Sequence, residues 1–126
     1  LVQEMCRKGH EFILGMHRDR RYGPLMMFGM GGTFVETLKD VAFHLAPLTD
    51  REAKEMLVST RTYRQLQQGD PNNSVDIDGI AEGLQRLSQL VTEHPQIVEM
   101  DINPYIVGRP GTTPVAVDAH INVRED

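Results

Sequence analysis

Apolar and polar positions alternate with a period of two through the first part of the chain. Phe12, Leu14 and Met16 are interleaved with Glu11, Ile13, Gly15 and His17, the pattern of a half-buried strand. A charged turn, His17 to Arg21, is closed by Gly23-Pro24. The continuous apolar run Leu25 to Phe28 predicts a strand covered on both faces. Val41, Phe43 and Leu45 alternate through a further strand that ends at Pro47, and Leu1 to Met5 also reads as strand.

The period then changes. Thr49 or Asp50 suits the N-cap of a helix over Arg51 to Thr60, with Ala53, Met56 and Leu57 inward. A short helix to Leu66 follows, and the turn-forming run Gln67 to Ser74 reads as a linker. Ile77, Ile80, Leu84, Leu87 and Val91 recur at spacings of 3, 4, 3 and 4, which predicts an amphipathic helix. Asp76 or Asp78 caps it and Pro95 ends it. Two strands, near Ile97 to Asn103 and Val115 to Ile121, close the chain. Strands, then two or three helices, then a hairpin define an α+β fold with a mainly antiparallel sheet.

Length and charge narrow the function classes. A chain of 126 residues makes one domain. Its formal net charge of −5 disfavours general binding to nucleic-acid phosphates. No apolar run approaches the length of a transmembrane span, and no signal-peptide pattern opens the chain, so neither membrane nor export is expected. A single cysteine, Cys6, excludes an intrachain disulfide and suits a reducing, cytoplasmic setting. The start on Leu1 rather than methionine points to a piece of a longer protein.

The closing hairpin carries the most chemistry. Along its first strand Glu99, Asp101 and Asn103 share one face, with Val98, Met100 and Ile102 on the other. Along its second, Val115, Val117, Ala119 and Ile121 are expected to face the core, which puts Asp118 and His120 opposite. Pairing of the strands then gathers three carboxylates and an amide on one sheet face, hard oxygen donors suited to Mg²⁺. Alternation alone is met more simply by an ordinary hairpin with its polar face in water. His120, a lone strand histidine, is left out of the ligand set. Gly29-Met30-Gly31-Gly32 is either a phosphate-approaching loop or a tight turn between strands. Arg18, Arg20 and Arg21, with His17 and Asp19, read as a solvated turn.

The order of motifs is that of a known family. Gln3-Glu4-Met5, Gly9-His10-Glu11, Tyr22-Gly23-Pro24, Phe28-Gly29-Met30-Gly31-Gly32, Asp101-Ile102-Asn103-Pro104 and Val117-Asp118-Ala119 follow one another across nearly the whole chain. The chain resembles the C-terminal part of the ATP-grasp domain of NDP-forming acyl-CoA synthetases and, more distantly, succinyl-CoA synthetase β subunits. The resemblance implies a lobe that binds ATP or ADP, with Gln3, Glu4 and Met5 against adenine and Glu11 near the ribose. It implies that Asn103 and Asp118 hold Mg²⁺. Asp101 faces a phosphohistidine carried on a mobile segment, and Gly31 and Gly32 lie close to the transferred phosphoryl group. The parent enzyme is then an acid–thiol ligase, converting acid, CoA and ATP to acyl-CoA, ADP and phosphate. Its upstream grasp lobe and its CoA-binding and phosphohistidine domains are the implied partners, and residues 1–126 alone are expected to be inactive. Where the family has an arginine–glycine pair, Leu66 is followed here by Gln67-Gln68-Gly69. Two other readings are a regulatory ligand-binding module of a synthetase-like protein fused to a lysine acetyltransferase, and a structural α+β module whose hairpin faces water.

Overall fold

A computed structural model describes residues 10–30, 40–61, 75–108, 111 and 113–124. They form β1 (His10–Asp19), β2 (Gly23–Met30), β3 (Val41–Leu45), α1 (Asp50–Val58), α2 (Ile77–Glu93), β4 (Ile97–Val107), β5 (Val115–Ala116) and β6 (Ala119–Val123). The six strands make one sheet in the order β3-β2-β1-β4-β5, with β6 also paired to β4. All pairings are antiparallel, as expected for an α+β fold of this composition.

The core face follows from alternation on the two central strands. Leu14 lies opposite Phe28 and Met16 opposite Met26, and all four are buried. The rings of Phe12 and Phe28 stack with centroids 5.5 Å apart. Onto this face packs α2, through Ile80, Leu84, Leu87 and Val91, while α1 contributes Ala53, Met56 and Leu57. Tyr105 of β4 sits so close to α2 that a side chain at Gly83 would lie 2.7 Å from its hydroxyl.

Local chemistry sets the ends of these elements. Thr49 caps α1 with a reciprocal box: Glu52 N–H donates to Thr49 Oγ1 at 3.1 Å and Thr49 N–H donates to Glu52 Oε1 at 3.0 Å. Those bonds hold the Glu52 carboxyl below its ordinary range. Asp76 caps α2 by accepting from Gly79 N–H at 3.0 Å. Lys54 Nζ joins the two helices, lying 3.0 Å from Asp50 and 3.1 Å from Asp78. At the β1–β2 turn, Asp19 Oδ1 accepts from the amides of Arg21 and Tyr22, which lowers its pKa, and Gly23 takes a φ of 88°.

Four expectations are corrected. Arg18 is not part of a solvated turn: its guanidinium donates to Val91 O at 2.7 Å and Ile97 O at 2.8 Å, closing the C-terminal end of α2. The run Leu25 to Phe28 is not covered evenly, because Met26 and Phe28 are buried while Leu25 and Met27 are half-buried on the other face. On β3 it is Ala42 that turns inward; Phe43 and Leu45 are exposed. The last predicted strand breaks into β5 and β6, and Val117 and Ile121 are exposed rather than buried. These two lie at the sheet margin, beyond β1, β2 and β4, the strands against which α2 packs.

Candidate functional site

The sheet face opposite the helices carries the candidate chemistry. Position 101 fixes its orientation. Asp101 pairs with Gly15 of β1 on one side and His120 of β6 on the other, one residue out of phase with the buried Leu14 and Met16. Glu11 and His17, in phase with Gly15, stand exposed on the same face. At Gly15 an added side chain would come within 3.1 Å of Met27 and 3.7 Å of the Asp101 Cβ. The missing side chain leaves Asp101 without a tall neighbour on the β1 side.

Two residues beyond Asp101, the hairpin brings Asn103 and Asp118 together. The β4–β6 ladder runs through Met100–Ile121 and Asp101–His120 and ends at Ile102–Ala119. Asn103 N–H donates to Asp118 C=O at 3.1 Å, and Val117 N–H donates to Pro104 C=O at 3.1 Å, so the strands stay joined past the ladder's end. Asn103 and Asp118 are therefore joined through their backbones, and both residues are exposed. His120 leans onto Asp118, with Nε2 3.3 Å from Oδ2.

The third carboxylate does not join them. Glu99 lies at the other end of the hairpin, where Oε2 accepts from Asn122 Nδ2 at 3.0 Å and Oε1 lies 3.9 Å from His17 Nδ1. A strand advances about 6.6 Å every two residues, so the Glu99 carboxylate and the Asn103 amide, four residues apart, cannot converge on one point. No three His, Cys, Asp or Glu side chains among the described residues are grouped to hold a metal ion. The expected gathering of three acids is thus corrected: Glu99 is held apart, and Asn103 and Asp118 are joined through the backbone, with Asp101 two residues before Asn103. Two oxygen donors still fit Mg²⁺, which commonly takes one or two protein ligands and fills its octahedron with phosphate oxygens and water.

His120, left out of the expected ligand set, stands beside Asp118. Its signal was its spacing, two residues after Asp118 in a stretch that reads as strand. The other predicted site residues, Gln3, Glu4, Met5, Gly31 and Gly32, lie outside the described residues, as do the short helix to Leu66 and the 67–74 linker.

Residues 1–123 match the ATP-grasp domain family, and the chain belongs to it. It is 50% identical over 111 residues to the ADP-forming acetate–CoA ligase I of Archaeoglobus fulgidus, covering 88% of this chain and 16% of that protein. It is 39% identical over 122 residues to subunit beta of the ADP-forming acetate–CoA ligase II of Pyrococcus furiosus, covering 96% of this chain and 52% of that subunit. Among solved structures it resembles acetyl-coenzyme A synthetase 1 of Ca. Korarchaeum cryptofilum, with a TM-score of 0.83 and 40% identity over 92% of this chain and 54% of that one. That structure is a complex with coenzyme A and Mg-AMPPCP whose phosphohistidine segment points towards the nucleotide binding site. The chain spans about half the length of the latter two relatives and far less of the first. No helix among the described residues is long and apolar enough to cross a membrane.

Proposed function

We propose that this chain forms one wall of the nucleotide site of an ADP-forming acyl-CoA synthetase, a cytoplasmic acid–thiol ligase. The observation that carries the reading is the backbone bond joining Asn103 to Asp118 at the end of the hairpin, in a chain whose relatives are ADP-forming acetate–CoA ligases. Asn103 and Asp118 would hold Mg²⁺, which would supply positive charge against the phosphoryl group being transferred. The chain's own part is positioning. Asn103 and Asp118 orient the phosphates, and Asp101 on the adjoining rung faces the incoming phosphohistidine. Glu11, on the same face of β1, is directed at the ribose. Gln3, Glu4 and Met5 line adenine, and Gly31 and Gly32 let backbone approach the phosphoryl group. An ATP-grasp holds nucleotide between two lobes, so turnover requires the upstream lobe and the domains that bind CoA and carry the histidine.

Asp118→Asn in the full-length protein tests the reading. It keeps the side-chain shape but removes the charge, and Mg²⁺-dependent formation of ADP from ATP, acid and CoA should fall at least a hundredfold with the melting temperature unchanged. Wild-type turnover in this variant would refute the assignment. Nucleotide binding without turnover in the unaltered protein would favour the regulatory module instead.

A further inference from the structure

We propose that His120 is a positioning residue for the Asn103–Asp118 pair, tethering one carboxylate oxygen of Asp118 so that the other is presented beside the Asn103 amide. The proposal rests on the reading of that pair as the divalent-cation clasp. Asp118 lies in the break between β5 and β6, outside either strand, and its side chain is 59% exposed. Packing does not choose its rotamer, and an untethered carboxylate there samples several orientations. Its backbone is held by the bond from Asn103 N–H. Its carboxylate meets a single ionic partner among the described residues, the His120 imidazole at 3.3 Å from Oδ2. The His120 backbone is fixed, since it belongs to β6 and pairs with Asp101 of β4, while its side chain is 68% exposed. The ring reaches Oδ2 of Asp118, and Oδ1 is the oxygen left for the cation. Partners of this kind orient metal-binding carboxylates, and removing one commonly weakens metal affinity by about 10- to 100-fold.

The test uses full-length protein, Mn²⁺ as a paramagnetic probe and a non-hydrolysable ATP analogue, with free Mn²⁺ read by electron paramagnetic resonance. His120→Ala should weaken Mn²⁺ binding by about 10- to 100-fold. His120→Gln, which retains an N–H donor, should recover part of that loss. In turnover, the metal concentration for half-maximal rate should rise more than kcat falls. Because His120 is exposed, thermal melting should not move. Mn²⁺ affinity within twofold of wild type in His120→Ala would overturn the proposal. So would a loss that Gln does not relieve and that accompanies a lowered melting temperature, which would make the role structural. Asp118→Asn separates the two claims. If it abolishes Mn²⁺ binding while His120→Ala does not, the tether alone fails; if neither variant changes it, the cation clasp fails as well.

Discussion

On β1, Phe12, Leu14 and Met16 are 0%, 0% and 3% exposed, whereas Glu11 and His17 on the same strand stand in solvent. The two sets are one residue out of phase and occupy opposite faces of one sheet. Those under α2 are held by many weak contacts from every side, so their positions are over-determined. Those on the open face are held by the backbone and one or two polar partners: Asn122 for Glu99, His120 for Asp118, Asn103 N–H for the Asp118 carbonyl. The first arrangement stores stability, and the second leaves side chains free to meet a ligand. Substitutions on the two faces should therefore separate stability from chemistry.

The largest stability effect is expected on the covered face. Phe28 is 1% exposed and stacks on Phe12, so Phe28→Ala should cost about 3–5 kcal/mol in denaturant unfolding. Mn²⁺ affinity of the fraction that remains folded should not change. A cost under 1 kcal/mol would mean that the sheet does not depend on this packing.

An intermediate effect belongs to the covering layer's rim, where α1 begins. Thr49→Ala removes the acceptor for Glu52 N–H and should cost about 1 kcal/mol. The same change bears on pH. Bonds from Thr49 and the Arg21 and Tyr22 amides lower the pKa values of Glu52 and Asp19 from ordinary values of 4.5 and 3.8. Groups depressed in the folded state stabilise it fully above those ordinary values, and the contribution is lost as pH falls through the folded values. Melting temperature should accordingly hold through mildly acidic pH and decline below about pH 4, less steeply in Thr49→Ala than in the wild type. Thr49→Ala keeps the Thr49 N–H bond to Glu52, so an unchanged acid limb in the variant would show that the Thr49 hydroxyl does not contribute to it.

The covered face was the legible one. Burial demands apolar residues at the period of the element, so Phe12, Leu14, Met16 and the α2 stripe could be read directly from spacing. The caps at Thr49 and Asp76 were legible for the same local reason. Less was visible wherever the deciding partner lay far along the chain. Arg18 reaches carbonyls 73 and 79 residues away, and a backbone carbonyl has no side-chain signature. Val117 and Ile121 read as core because alternation gives a face but not whether a helix covers it. At the candidate site, alternation placed Asp101, Asn103 and Asp118 on the open side. Register then set Glu99 apart with Asn122 and His17.

The smallest expected effect on stability falls at Asp101, where the contrast between the faces is tested most sharply. Its β1 partner is Gly15, which offers no side chain to pack against, and its β6 partner His120 leans instead toward Asp118. Truncation therefore empties little, and Asp101→Ala should shift unfolding by no more than about 0.5 kcal/mol. Removing the carboxylate that is proposed to face the phosphohistidine should nevertheless slow phosphorylation of that histidine by ATP far more than it weakens nucleotide binding. Rapid-quench measurement of phosphoenzyme, set beside equilibrium binding of an ATP analogue, distinguishes the two. Equal losses in both would return Asp101 to nucleotide binding. A loss of stability above 1 kcal/mol would show that the open face, too, is held by packing.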